Sequence, residues 1–445
     1  MIAMTRISFA IAVLLLLTRA AEAQDHPAPI SLTVADAVAR GLEASHRIAE
    51  IRAREEGARA AIKIAELAKM PTVSATAGFT RTSHVAEFAV PQTNGSRLVV
   101  FPDLPNNFST RLGFQWPIFT AGRTDALERA AAAEASAVAS EIESARLDLR
   151  FEIVRAYWAS VTARESARVL RESTARADAQ LNDARQRFKV GLIPPNEVLS
   201  LEAQASRERA QLAEAQNLFE SALVDLRRLT GIASSTEVDL VDPLEPGVDK
   251  GEQFNLPGLI AEAERRPERQ VILLRREAIE ARQQAAASAT RPSINFVGGI
   301  DYASPNPRVF PRRDAWEPFW DVGVQVNWNV FDFGRARAQV AELEAGVSAS
   351  RARLAEFDSI VAADLEQRML EQSSIHAMVE AARDAVRSAT EARRVVADRF
   401  AVGVASSTDV VVAQVAQLEA ELQLMRSLAS MRLAHARLDR ARGRP

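Results

Sequence analysis

Apolar and polar residues alternate along two clear stretches of this chain. One apolar face runs from Phe108 to Ile118, and a second runs from Trp320 to Val330. Weaker runs with the same period begin after Pro71 and after Pro292. A period of two predicts strands with one apolar and one polar face. We therefore predict four strands, at about residues 72–82, 108–118, 293–302 and 319–331.

The stretch after each strong strand is typical of a long helix. No proline or glycine interrupts residues 124–187, and residues 335–401 contain one glycine, Gly346. Both stretches are rich in residues with high helix propensity. We expect each long helix to stop at a glycine, Gly191 or Gly403, because glycine readily takes the left-handed conformation that ends a helix. A returning helix follows each stop, which gives helical hairpins at about residues 123–231 and 335–441.

The returning helices carry apolar residues at alternating spacings of three and four. This heptad spacing is typical of a coiled coil with one narrow apolar seam. In the first helix the pattern is interrupted at Glu208. The predicted seam positions are Val198, Leu201, Ala205, Leu212, Ala215, Phe219, Ala222, Leu226 and Leu229, then Val411, Val415, Leu418, Leu422, Met425 and Ala429.

The two halves of the chain are copies of one unit. The segment Arg187–Leu192 recurs as Arg399–Val404, and the segment Trp116–Arg123 recurs as Trp328–Arg335. Both recurrences have an offset of 212 residues, for example 403 minus 191. One offset held over such a length indicates duplication of a structural unit. The predicted organisation is a first repeat at 24–231, a connection at 232–254 and a second repeat at 255–445.

The first 23 residues have the features of a secretory signal peptide. Arg6 provides the positive charge, Ile7–Leu17 is apolar, and Ala21-Glu22-Ala23 offers small residues for cleavage. The apolar run is shorter than the about 20 residues that a membrane-spanning helix needs. We expect an exported protein whose mature chain begins near Gln24.

Composition excludes several classes of function. The chain has no cysteine, so we expect no disulfide, no thiolate metal site and no lipid anchor on cysteine. A formal net charge of −3 gives no basic surface for nucleic acid. The five histidines are scattered, and neither a phosphate-binding loop nor a nucleophile elbow is present. The sequence therefore predicts no enzyme, no catalytic residue, no metal and no cofactor.

Strands of about ten residues with one apolar face are typical of transmembrane β-barrels. The alternative is a half-buried sheet of a water-soluble protein. Four strands cannot close a membrane barrel, because the smallest have about eight, and an open edge in lipid would leave backbone groups unpaired. Several chains would therefore share one barrel, and the strand pattern leaves two or three copies open.

The repeated motifs resemble those of the TolC-type family of outer-membrane efflux channels over essentially the whole mature chain. They are Trp116-Pro117-Ile118-Phe119…Gly122-Arg123 and Trp328…Phe331-Asp332-Phe333-Gly334-Arg335 at the strand-to-helix junctions, with Arg187…Gly191…Glu197-Val198 and Arg399…Gly403…Asp409-Val410 at the hairpin turns.

This resemblance implies a mainly α fold with a small β part, made of two tandem repeats of a strand pair and a long coiled-coil hairpin. It implies a homotrimer, with one transmembrane β-barrel shared in outer-membrane lipid and an α-helical periplasmic tunnel. Such a channel is a passive duct for efflux or type I secretion, joined by a periplasmic adaptor to an inner-membrane pump. Residues 32–45, the connection at 237–254 and the C-terminus would form an equatorial region, and loops 83–107 and 303–318 would face outside the cell.

The resemblance also implies site residues at the hairpin turns. Glu197 and Asp409 match acidic positions at the periplasmic mouth, where three copies would form a carboxylate ring that favours cations. The alternative is that each acid complements the dipole at a helix N-terminus. Phe400 and Ala405 occupy the positions at which family members have a tyrosine and an arginine that lock the mouth, and Val412 replaces a second aspartate. We therefore expect a lock that is either looser or built differently. The predicted adaptor contacts are Val190, Gly191, Leu192, Val402, Gly403 and Val404.

The rival interpretation is a periplasmic structural or adaptor-like coiled-coil protein. Such a protein has helical hairpins but no need for two copies of an amphipathic strand pair. Within the channel interpretation, export of drugs, metal ions or proteins remains open, because the pump mainly selects the substrate. The few histidines argue mildly against a metal-binding lumen.

Overall fold

The structure, a computed structural model, describes residues 29–245 and 255–444. The predicted signal peptide and residues 246–254 of the predicted connection lie outside the described residues. The predicted fold class is confirmed, since the chain is mainly helical with a small β part and is built from two tandem repeats. The chain divides into two compact units. The first takes its described residues from Met1–Ala49, Ser144–Arg266 and Ile360–Pro445, and the second consists of Glu50–Glu143 and Pro267–Ser359.

Most of the described chain is helical. The helices are α1 (Val34–Ala44), α2 (His46–Leu67), α3 (Arg123–Lys189), α4 (Pro195–Thr230), α5 (Leu256–Ala263), α6 (Pro267–Ala287), α7 (Arg335–Ala401) and α8 (Ser407–Arg442). The strands are β1 (Ile30–Leu32), β2 (Thr72–Arg81), β3 (Phe88–Pro91), β4 (Arg97–Phe101), β5 (Asn106–Phe119), β6 (Val238–Leu240), β7 (Ser293–Ser304) and β8 (Glu317–Asn327).

The duplication extends to single residues of the backbone. Helices α3 and α7 both have 67 residues, and helices α4 and α8 both have 36. All four pairs of helix ends keep the offset of 212 residues. At the strand-to-helix junctions, Ala121 and Phe333 share a positive φ, as do Gly122 and Gly334. The two repeats therefore use one backbone plan.

In the second unit, the strands form a four-stranded antiparallel sheet in the order β2-β5-β7-β8. Strand β8 ends at Asn327, four residues before its predicted end at Phe331. The chain turns there, because the Trp328 indole donates to the Thr290 carbonyl (3.0 Å) and the left-handed residue pair precedes α7. In the first repeat, the Trp116 indole makes the corresponding bond to the Lys69 carbonyl (3.1 Å).

In the first unit, a core gathers around Tyr157 of α3. Its ring is fully buried, and its hydroxyl donates to the Leu32 carbonyl (3.0 Å) and accepts from the Asp242 N–H (3.1 Å). Burial raises the pKa of Tyr157 to about 12. These bonds join α3 to the short parallel pair β1–β6, which lies in the region predicted as equatorial. The sequence patterns did not predict this strand pair.

The predicted apolar seams of α4 and α8 are buried or half-buried at every position. Glu208, where the first seam is interrupted, is also buried, with 1% of its surface exposed. Its carboxylate accepts hydrogen bonds from the Ser173 hydroxyl (2.7 Å) and the Gln204 amide (2.9 Å). A buried carboxylate is tolerated here because donors from two helices satisfy it.

Candidate functional site

The two hairpin turns have the same backbone. Gly191 and Gly403 are left-handed, with φ of 77° and 80°. The N–H of Leu192 bonds the Arg187 carbonyl (2.9 Å), and the N–H of Val404 bonds the Arg399 carbonyl (2.9 Å). This is the hydrogen-bond pattern with which a glycine closes the C-terminus of a helix. Each turn therefore holds its flanking residues in a defined geometry.

The turns present exposed apolar side chains. Val190 is 70% exposed, Leu192 73%, Val402 75% and Val404 76%. Apolar side chains that cluster on a surface commonly mark a site of protein–protein contact. The four apolar residues of the predicted adaptor contact are therefore accessible to a binding partner in the single chain.

Arg187 connects the first turn to the second. Its guanidinium donates to the carbonyls of Phe400 (3.4 Å) and Ala401 (3.3 Å), the last residues of α7. Its Cζ lies 5.4 Å from the centre of the Phe400 ring, and its Nε pairs with Asp183 at 2.9 Å. A cation stabilises both an aromatic face and a helix C-terminus. We call the Arg187–Phe400 contact the clasp.

Phe400 lies beneath this clasp and not on the surface. It is 6% exposed, in contrast with the four apolar turn residues. The sequence assigned Phe400 to the mouth because it replaces a tyrosine of the family. In the single chain its ring instead forms the contact between the two turns.

The two predicted acids of the mouth both lie in the first turn of a helix, where Asp409 is exposed and Glu197 is partly buried. The Asp409 carboxylate accepts from the Ser406 N–H (2.9 Å) and hydroxyl (2.8 Å), which completes a capping box. These hydrogen bonds hold the pKa of Asp409 below its usual range. Glu197 occupies the corresponding turn of α4, where Pro194 provides no side-chain cap. In the single chain, Asp409 therefore stabilises its own helix.

The sheet of the second unit separates apolar from polar side chains. On β8 the exposed side chains from Trp320 to Val326 alternate with Asp321, Gly323 and Gln325 of the other face. Near one end of the strands, aromatic rings are in contact on the apolar face: Phe79, Phe108, Tyr302 and Trp316. An apolar band edged by aromatic residues is suited to lipid.

The described residues contain no group of three histidines or acidic residues able to hold a metal ion. Within the same ranges, no helix is both long and apolar enough to cross a membrane.

A family model described as outer membrane efflux protein matches residues 38–232 and 260–444, one segment in each repeat. The chain belongs to the outer membrane efflux protein family. The two matched segments agree with the repeats seen in the sequence and in the helices.

Curated relatives match parts of the chain. Protein CyaE of Bordetella pertussis is 35% identical over 134 residues, which cover 30% of this chain and 27% of that protein. Outer membrane protein TolC of Vibrio cholerae is 25% identical over 235 residues, which cover 50% of this chain and 51% of that protein. The matches thus span about a quarter and about half of these relatives.

Solved structures match nearly the whole chain. The outer membrane protein VceC of Vibrio cholerae has a TM-score of 0.76 and 19% identity, over 92% of this chain and 96% of that one. CusC has a TM-score of 0.77 and 15% identity, over 93% and 92% of the two chains. At these identities, the likenesses show a shared fold.

Sequence reasoning located the turns but missed the clasp. The glycines and their apolar neighbours could be recognised because they recur at one offset. Ser406 and Asp409 also have the spacing of a capping box, S-x-x-D. The contact between Arg187 and Phe400 joins residues far apart in the sequence, and no local pattern indicates it.

Proposed function

We propose that this chain is the protomer of a homotrimeric outer-membrane exit channel. The channel is a passive duct from periplasm to cell exterior, with its helices in the periplasm and no lipid anchor. It serves tripartite efflux or type I secretion, and docking of a periplasmic adaptor and inner-membrane pump opens it. It performs no chemistry of its own.

The sheet supports a shared barrel. Its four strands expose an apolar face, and β2 and β8 are edge strands of this sheet in the single chain. Edge strands in lipid must pair, since their backbone groups have no other partner there. Three copies supply twelve strands, an even number within the range of membrane barrels.

The observation that carries the proposal is the pair of exposed apolar turns. Val190, Leu192, Val402 and Val404 are each at least 70% exposed, and they are grouped at the two turns, two at each glycine. Exposed apolar groups gain free energy when a partner removes them from water. An adaptor with a complementary apolar surface is the occupant that we propose.

Opening requires the turns to separate. The clasp holds the end of α7 against the first turn within one chain, and we propose that it replaces the tyrosine and arginine lock that this sequence lacks. Asp409 and Glu197 lie beside these turns and, in three copies, would form the acidic ring of the mouth. The capping of α8 by Asp409 is compatible with this second role, because its carboxylate remains exposed.

The rival function is that of a periplasmic coiled-coil protein. The exposed valine and tryptophan side chains on one face of β8 argue against it, because water-soluble proteins rarely expose a continuous apolar surface of this kind. Subcellular location and oligomeric state discriminate between the two functions.

The test is fractionation of cells that make the full-length protein, followed by gel electrophoresis of unheated and heated samples. We expect the protein in the outer membrane, as an oligomer of three chains that heating converts to a single chain. Recovery as a water-soluble protein, or in the inner membrane, would overturn the proposal.

A further inference from the structure

The loop between β7 and β8, residues 305–316, is folded against the sheet; we call it the outer loop. Pro305 and Asn306 are buried at its start. The Asn306 amide donates to the Glu317 carbonyl (2.8 Å), and its oxygen accepts from the Arg308 N–H (2.9 Å). The Ser304 hydroxyl donates to Asp314 (3.1 Å). These bonds fix the position of Arg308.

Part of the outer loop, around Arg308, lies over the polar face of the sheet. Arg111 is opposite Asp301, and Asp301 is opposite Phe319, so these side chains lie on one face. Asp321 shares that face because it is two residues beyond Phe319. The Arg308 Cζ lies 4.6 Å from the centre of the Phe319 ring. Arg308 is therefore held over the polar face.

A second guanidinium, that of Arg111, lies on the same face of the sheet. Arg111 forms an ion pair with Asp301 and reaches Asp321, with Nη1–Oδ1 and Nη2–Oδ2 distances of 2.8 Å and 3.0 Å. Its side chain crosses β7 at Gly299, where an added Cβ would lie 2.9 Å from Arg111 Nη2. The Arg308 guanidinium also attracts the Asp321 carboxylate.

We propose that Arg308 and this cluster form a charge filter at the outer end of the pore and set which ions pass there. This rests on the proposed channel function, in which the polar face lines the lumen. The two arginines balance Asp301 and Asp321. Loss of Arg308 leaves this cluster of four side chains with one net negative charge, and neutralising Asp321 leaves it with one net positive charge.

The reaction rate of a cysteine placed next to the charge filter measures the electrostatic potential that the filter produces. The chain has no native cysteine. Gly323 lies on the polar face next to Asp321, and an added Cβ there meets nothing within 4 Å. The assembly that carries Gly323→Cys is purified and placed in lipid nanodiscs. The probes are a cationic and an anionic methanethiosulfonate reagent, whose reaction rates are compared.

Arg308→Ala should raise the cationic-to-anionic rate ratio about fourfold, and Asp321→Asn should lower it about fourfold. A unit charge about 8 Å away in water changes the local concentration of each reagent about twofold, in opposite directions. Arg312→Ala is the matched control: it removes the same charge from the same loop, but Arg312 stacks on Phe101, at 5.0 Å. Its ratio should stay near that of the parent.

Equal ratios in the Arg308→Ala and Arg312→Ala proteins would overturn the charge filter and leave the pore standing. A different outcome would count against the pore itself. If Gly323→Cys reacts with neither reagent in the assembly but reacts after unfolding, the polar face does not line a water-filled lumen. Both the filter and the proposed function would then fail.

Discussion

Replacing Arg187 with alanine should open the mouth of the assembled channel. The substitution removes the guanidinium that lies over the Phe400 ring and donates to the last two carbonyls of α7. It leaves the glycine turn intact, because the turn is closed by the backbone of Arg187 and not by its side chain. The expected change is therefore in the equilibrium between closed and open states.

The size of the effect follows from the contacts. A cation over an aromatic ring contributes about 0.5–1 kcal/mol at a partly exposed site, and a cation at a helix C-terminus about 0.3–1 kcal/mol. The exposed pair with Asp183 adds little. We expect a total of about 1–2 kcal/mol per chain, which shifts the closed-to-open ratio about five- to thirtyfold.

Open probability in a planar lipid bilayer is the measurement. Arg185→Ala is the control, because Arg185 lies on the same helix but pairs with Glu202 of the same hairpin (2.9 Å). Both variants should still form heat-sensitive trimers. If the Arg187→Ala channel is open no more often than the Arg185→Ala channel, the clasp does not hold the mouth closed.

Three further substitutions, two of them with a control substitution, test other parts of the structure. Tyr157→Phe should lower the free energy of unfolding by about 1–3 kcal/mol, whereas Tyr302→Phe, at an exposed site, should change it by less than about 0.5 kcal/mol; denaturation of the purified proteins compares them. In the Tyr302→Phe protein the remaining tyrosine, Tyr157, should titrate by absorbance with a pKa of about 12 instead of 10.0. The contribution of its hydroxyl to stability is therefore present below pH 10.0 and is lost as the pH rises towards 12. A titration midpoint near 10.0 in the folded protein would be evidence against the buried hydroxyl. Because the pKa of Asp409 is lowered, the stability that its capping gives α8 is present above pH 3.8 and is lost as the pH falls below that value. Asp409→Asn should therefore speed amide hydrogen exchange in the first turn of α8 at pH 7 and weaken cation selectivity. Unchanged exchange would contradict the cap. In cells whose export depends on this protein, Val404→Glu should lower export while trimers still form, and Ile360→Glu, an exposed position far from the turn in sequence, should not. Normal export by the Val404→Glu protein would rule out the apolar adaptor contact.

Features that depend on local patterns were predictable from the sequence. The long helices follow from uninterrupted helix-forming residues, and their ends follow from Gly191 and Gly403. The strands follow from alternation, although β8 stops before Trp328, whose indole bonds the chain outside the sheet. Duplication reinforced each of these inferences by showing the pattern twice.

Contacts between distant segments were not predictable. Arg187 and Phe400 meet across 213 positions, and Arg111 and Asp321 across 210. Each contact depends on how whole elements pack, and one sequence does not encode that in any short pattern. The clasp also shows that equivalent positions of the two repeats make different contacts. Arg187 corresponds to Arg399 in the second repeat, but it contacts Phe400.

The helix ends give a similar lesson about single residues. Asp409 was predicted either to line the mouth or to complement its helix, and the structure shows the second role in the single chain. Its place in an acidic ring depends on copies that must assemble. The charge of the proposed mouth would therefore arise only in the proposed trimer, and it must be measured in that assembly.

Single-channel conductance of the purified protein in a planar bilayer tests the proposed pore most directly. We predict discrete, cation-selective steps, with selectivity reduced when Glu197 and Asp409 are both neutralised. A trimeric protein that stays silent, even after Arg187→Ala, would contradict the channel and favour the structural coiled-coil protein.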